Sequence, residues 1–141
     1  MKIDWLILAD AAQVIDNKLQ LLGGGWDLLT VNPPFPVVHR AAIAIAVRVP
    51  WHESDRKHRM RLQVLHDDGG VLLTLDGEFY VGRPANILPG QEQRMQFAAN
   101  VDLRLEQPGS YAVSVTLDGE ESERSPFRVV LPPNAQPATG S

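Results

Sequence analysis

Residues 91–131 alternate apolar and polar side chains so regularly that an antiparallel sheet is the natural structure for this segment. Apolar side chains occupy every second position from Met95 to Leu105, and the same period of two returns from Tyr111 to Leu117. That spacing is typical of strands with one buried face. An Asp118-Gly119 pair, which favours a tight turn, separates the second run from a third that begins at Phe127. The pattern predicts three consecutive antiparallel strands, with Leu131 the last inward residue.

Shorter runs of the same kind fill the rest of the chain. Residues 3–14 are compatible with a buried strand or a short helix, and Asp16-Asn17-Lys18 predicts the turn of a hairpin that resumes at Leu19. Residues 38–49 predict a strand with one bulky face and one face of alanines, which a further layer could approach closely. Asp76-Gly77 is expected to end a strand that begins at Val71. Other strands are expected over residues 28–31, 58–64 and 79–81.

These runs predict an all-β fold, a two-layer antiparallel immunoglobulin-like β-sandwich of about eight or nine strands. The chain of 141 residues has the length of one domain with a substantial core. We expect the sandwich to occupy residues 1–131. Residues 132–141, rich in proline and small polar residues, are expected to form a disordered tail.

Charge and cysteine content exclude several classes of function. The formal net charge of −4 argues against a general nucleic-acid-binding protein, which needs clustered Lys and Arg. The chain has no cysteine, so disulfides, thiolate catalysis and Cys-ligated zinc are excluded. The apolar run at Trp5 is too short for a signal peptide or a membrane span. A cytoplasmic protein without a membrane partner is the simplest interpretation.

Two segments resemble known proteins. The segment from Pro108 to Gly119 resembles the penultimate strand of immunoglobulin-like domains, in which a tyrosine, here Tyr111, bonds upstream backbone. The opening LADAAQV, from Leu8 to Val14, followed by GGGWD at residues 23–27, resembles a small bacterial family of single-domain proteins of unknown function. That resemblance extends over most of the chain apart from the tail. It implies a β-sandwich and supplies no activity or site residues.

Catalytic motifs with a known mechanism are missing from the sequence. Gly23-Gly24-Gly25 could bind phosphate through its amides, but no Lys-Ser/Thr pair or helix pattern follows. A bend at which Trp26 packs on the backbone is the simpler interpretation. No serine lies in a nucleophile elbow, and no pair of acids stands out by its spacing. A non-enzymatic role is therefore favoured, and an unrecognised hydrolase is the third hypothesis.

Histidines and acids supply an alternative hypothesis of small-ligand or metal binding. The candidate loops are residues 51–57, with His52, Glu53 and Asp55, and residues 67–70. Ordinary turn and loop chemistry explains the same residues without a metal. His58 and His66 face one side of a strand but lie about 26 Å apart at strand rise, too far to share an ion. We therefore predict no metal ligands and no cofactor.

Apolar residues in loops suggest a partner surface. Phe35 lies between prolines, Trp51 precedes a histidine, and Ile87 and Leu88 precede a Pro-Gly pair. If these four residues meet at one end of the sandwich, they form a recognition patch. The leading hypothesis is a protein-interaction or scaffold module that binds a protein partner or a second copy of itself through sheet edges or these loops.

Overall fold

The computed structural model describes residues 1–133, which form ten β-strands and a short 3₁₀ turn, Trp51–Glu53. The predicted all-β sandwich is confirmed, with ten strands rather than eight or nine. Residues 134–141, most of the expected tail, lie outside the described residues. No helix within residues 1–133 has the length and apolar character needed to cross a membrane.

One layer is a three-stranded antiparallel sheet. Its strands are β1 (Lys2–Ala9), β5 (Val37–Val49) and β8 (Gln93–Leu105), and the two edge strands flank β5. The pairing of β5 with β8 runs without interruption from Val37 opposite Leu105 to Val49 opposite Gln93. Because β8 is last in the order β1, β5, β8, it is an edge strand, and it has thirteen residues.

The second layer is a five-stranded sheet in the order β4, β10, β9, β6 and β7. Its strands are β4 (Leu28–Thr30), β6 (Arg56–His66), β7 (Val71–Val81), β9 (Gly109–Leu117) and β10 (Glu120–Val130). All neighbours are antiparallel except β4 and β10, which run parallel over three residues.

The core fills the space between the two sheets, as the period-two pattern requires. The predicted members Val101, Leu103, Tyr111, Val113, Val115 and Phe127 are buried in one cluster, and Phe97 packs against it. The hydroxyl of Tyr111 donates a hydrogen bond to the carbonyl oxygen of Gln107, the tyrosine corner that the sequence suggested.

A two-stranded hairpin covers the outer face of the three-stranded sheet. It consists of β2 (Ala11–Ile15) and β3 (Lys18–Leu22), joined by Asp16 and Asn17, both of which have positive φ. The alanine face of β5 explains its position, because Ala42 and Ala44 are fully buried in a small cluster with Ala9 and Ala12. Small side chains let the two layers approach closely. The predicted covering of both faces of this strand is therefore confirmed.

Three local predictions were wrong or incomplete. Asp76-Gly77 does not end a strand, because β7 continues through it to Val81 and Asp76 pairs with Arg61 across the sheet. Leu131 lies beyond β10 and is 38% exposed, so it is not an inward core residue. For residues 3–14, the strand alternative is confirmed and the helix alternative is not, because the segment forms β1 and the first strand of the hairpin, with a break at Asp10.

Candidate protein-interaction surface

The four predicted partner-binding residues lie at the two opposite ends of the sandwich. Phe35 precedes β5 and Trp51 follows it, so a thirteen-residue strand of about 40 Å separates them. Ile87 and Leu88 belong to the loop between β7 and β8, on the same end as Trp51. The structure therefore does not bring the four residues into one patch. We call these ends the Phe35 end and the Trp51 end.

Trp51 is held by its own chain. The guanidinium of Arg83 lies 4.2 Å from the Trp51 ring centroid, and its Nη2 donates to the Trp51 carbonyl oxygen at 3.0 Å. Arg83 Nε also donates to the hydroxyl of Ser54. Trp51 is half-buried as a result, whereas Leu88 is 68% exposed.

His58 is the buried polar centre of the Trp51 end. Its Nδ1 lies 2.7 Å from Asp118 Oδ2, and its Nε2 lies 2.6 Å from the carbonyl oxygen of Glu53. Partial burial by itself raises the pKa of Asp118, but hydrogen bonds from the Arg59 amide and the His58 ring outweigh it and leave that pKa lowered. His58 therefore ties the 3₁₀ turn to the β9–β10 turn.

This geometry does not form a serine triad. The hydroxyl of Ser54 donates to the Trp51 carbonyl oxygen at 2.6 Å, and the ring nitrogen of His58 that a nucleophile would need is occupied by the Glu53 carbonyl oxygen. A triad requires a hydrogen bond between the serine hydroxyl and the base. The contacts of Ser54 and His58 with backbone carbonyl oxygens indicate a structural role for both residues.

The Phe35 end contains a chain of aromatic contacts. Trp26 meets His39 and Phe127 edge-on, and Phe127 stacks on Tyr111 at 5.4 Å. The expected bend at residues 23–25 is confirmed, because Gly23 and Gly25 have positive φ and Trp26 packs against the core.

The two loops of the ligand-binding alternative, residues 51–57 and 67–70, lie at opposite ends of β6 and cannot act together. Asp68 accepts hydrogen bonds from the amide of Gly70 and interacts with His66, and these contacts lower its pKa. Within residues 1–133, no three His, Asp or Glu side chains come together as a candidate metal site.

A shallow depression of about 590 Å³ lies on the outer face of the five-stranded sheet. Arg61 and Asp76 lie in it and form a bidentate ion pair, with N–O distances of 2.7 and 3.2 Å. This ion pair lowers the pKa of Asp76. Both side chains are more than half exposed. This face is an open, charged surface.

The edges of the sheets differ in how they are protected against other strands. Edge strands are usually kept short, bulged or charged to prevent unwanted pairing. β4 is short, with three residues. The register of β1 is irregular between Ile3 and Trp5, and the register of β7 is irregular next to Val71. β8 has thirteen residues, an unbroken register with β5, and neither proline nor lysine. Within residues 1–133, no strand pairs with its second edge.

The inward face of β8 exposes apolar surface at this edge. Met95, Phe97 and Ala99 point toward the core but are only half-buried, although Phe97 lies 5.1 Å from the Phe79 ring. Leu75 on the facing strand β7 is 37% exposed. The sequence pattern predicted that these residues lie in the core, but it did not predict that β8 is an edge strand. Which strands lie at an edge depends on the order of strands in the sheet.

The outward face of β8 holds the hairpin and carries charges. Asn100 accepts from the Ala12 amide at 3.1 Å and donates to the Ala12 carbonyl oxygen at 2.7 Å. Arg94 Nε donates to Asp4 at 2.9 Å, and Asp102 Oδ1 accepts from Arg40 at 3.3 Å. Both charged side chains remain substantially exposed, with 41% and 62% of their surface accessible.

Comparison with solved structures shows a distant likeness to the CARDB domain of the PF1109 protein from Pyrococcus furiosus, whose crystal structure is a complex with di-metal ions. The identity is 13%, the TM-score is 0.34, and the alignment covers 94% of this chain and 93% of that chain. We draw no functional argument from this likeness. A search among curated proteins found no match. A family model matches residues 4–130, nearly all of the described domain, and the chain therefore belongs to a family of unknown function, DUF6941.

Proposed function

We propose that this protein is a non-enzymatic interaction module that binds a partner protein by adding a strand to the free edge of β8. The supporting observation is a thirteen-residue edge strand that has no proline, no lysine and no register irregularity, together with half-buried apolar residues on its inward face. In strand addition, backbone hydrogen bonds supply affinity and pockets for alternate side chains supply specificity.

The inward side chains supply such pockets. An added strand would continue the three-stranded sheet and cover the apolar surface around Met95, Phe97 and Ala99. Leu75 on the facing sheet would lie beneath it. Burial of this surface contributes the hydrophobic part of the binding energy, at about 25 cal/mol for each Å² removed from water.

Crosslinking in cells tests the proposal. Photoreactive benzoylphenylalanine is placed at Met95, on the β8 edge, and as a matched control at Thr74, an exposed position on the other long edge strand, β7. We expect crosslinked products from position 95 and few from position 74, with mass spectrometry identifying what is joined.

A blocking variant provides the second arm. Ala99→Lys places a charge on the inward face of the edge, which is a natural device against strand pairing, and should abolish the crosslink from position 95. Thr74→Lys should leave it unchanged. Crosslinks from position 74 alone, or products insensitive to Ala99→Lys, would show that β8 is not the binding edge.

We also propose that the protein acts in the bacterial cytoplasm. The fold needs no disulfide, because the chain has no cysteine, and it is therefore compatible with a reducing compartment. Fractionation of native cells, followed by detection of the chain in each fraction, tests this localisation.

A further inference from the structure

We infer that the partner at the β8 edge is a second copy of this chain, joined in an antiparallel arrangement with the two-fold axis at Ala98. This inference rests on the proposed function, and it names the partner and the register. Its basis is the order of side chains along β8, which is complementary to itself when reversed about Ala98.

Charge complementarity is the first step. Reversal about Ala98 places Arg94 opposite Asp102 of the partner subunit, and the symmetry produces this pair twice. Both side chains lie on the outward face with much of their surface exposed. The Arg40 contact occupies Oδ1 of Asp102, and Arg94 retains guanidinium donors beyond the Nε that bonds Asp4. Opposite charges directly across two strands stabilise their pairing.

The inward face agrees with the same register. Met95 lies opposite the partner's Val101, and Phe97 lies opposite the partner's Ala99, so a large residue meets a smaller one in each case. Apolar faces then meet apolar faces, and the two three-stranded sheets continue as one six-stranded sheet. The part of Met95 and Phe97 that remains exposed in one copy becomes covered.

Neighbouring registers lack this agreement. An axis at Ala99 places Arg94 opposite the partner's Arg104, and an axis at Phe97 places Glu92 opposite the partner's Asp102. Both create like-charge pairs, which destabilise a sheet. If the axis instead lies between two adjacent residues, the apolar face of one copy meets the polar face of the other. Among these registers, the one centred on Ala98 favours association.

The two-fold axis also makes the contact self-limiting. An isologous contact uses the same patch on both copies, so a dimer has no β8 edge left for a third chain. The inference therefore predicts a closed dimer and no filament.

Charge reversal in the purified chain tests the register. Sedimentation equilibrium should show a dimer for the native chain, and Arg94→Asp or Asp102→Arg alone should each raise the dissociation constant by about tenfold or more, since two pairs become repulsive. The double variant Arg94→Asp/Asp102→Arg should recover most of the native affinity, because the opposite charges again face each other. Melting curves of each variant verify folding, since Arg94 also contacts Trp5 within its own chain.

The outcomes separate this inference from the proposed function. A monomer at every concentration overturns the inference, and crosslinking of position 95 to a different protein would leave the proposed function intact. A dimer that Ala99→Lys dissociates but that the double variant does not restore overturns the register. A dimer insensitive to Ala99→Lys forms through another surface and overturns the inference, whereas the proposed function is overturned by the crosslinking outcomes given for it.

Discussion

Asn100 is expected to hold the β2–β3 hairpin on the sandwich, and its removal can be predicted in some detail. Its amide exchanges two hydrogen bonds with the backbone of Ala12, as a neighbouring strand would. A neutral intramolecular hydrogen bond contributes about 0.5–1.5 kcal/mol net. Because Asn100 is exposed and water can replace part of the loss, we expect Asn100→Ala to lower the free energy of unfolding by about 1–2 kcal/mol. For a domain of this size, that is roughly 3–6 °C in Tm.

The isosteric change Asn100→Asp sharpens the test. Its carboxylate can still accept from the Ala12 amide but places negative charge 2.7 Å from the Ala12 carbonyl oxygen, so the pKa of the introduced carboxyl should rise on folding. A group whose folded pKa is raised contributes most at low pH, where the protonated carboxyl donates to that oxygen. The stability deficit of Asn100→Asp should therefore be smaller at pH 3 than at pH 7.

Urea denaturation at both pH values, with amide exchange at β2 and β3, measures these effects. Dilute protein keeps association out of the comparison. Gln13→Ala is the matched control, because it removes a side-chain hydrogen bond to Gln20 on the exposed face of the same hairpin, and it should cost less than about 0.5 kcal/mol. If Asn100→Ala behaves like Gln13→Ala and leaves exchange at Ala12 unchanged, the argument for Asn100 as the attachment point is wrong.

Three further predictions concern the core and the ends of the sandwich. Val113→Asp should cost about 4 kcal/mol or more in urea denaturation, because Val113 is fully buried and the variant buries an unpaired charge; an unchanged midpoint would contradict the core assignment. Tyr111→Phe should lower the free energy of unfolding by about 1 kcal/mol, since the Gln107 carbonyl oxygen loses its donor. A Tm equal to that of the native chain would show that the tyrosine corner does not stabilise the fold. Because the pKa of Asp118 is lowered on folding, this carboxyl contributes stability at pH values above its unfolded pKa of about 3.9, and this stability is lost as pH falls through the folded pKa. Asp118→Asn should flatten that part of the acid denaturation profile measured by circular dichroism, and a profile identical to that of the native chain would contradict a stabilising role for the Arg59 amide and His58 contacts of this carboxylate.

Side-chain alternation alone was sufficient for the strands that bury one face. Met95 to Leu105 and Tyr111 to Leu117 were assigned correctly, because a period of two places every second side chain in the core whatever the neighbouring strand is. Local turn chemistry was equally informative at Asp16-Asn17, where positive φ values match the predicted hairpin. It misled at Asp76-Gly77, where pairing with β6 carries the strand through residues that favour a turn.

Tertiary structure alone decided which strands became edges and where the loops met. The predicted strand over residues 38–49 already implied that Phe35 and Trp51 lie about 40 Å apart. The position of Ile87 and Leu88 at the Trp51 end, by contrast, depends on the path of the whole chain. The same is true of β8. Its sequence predicted a half-buried strand, and only the order β1, β5, β8 left its second edge without a partner strand among residues 1–133. Periodicity is a local property that the sequence contains in full, whereas edge exposure and convergence of loops depend on long-range topology.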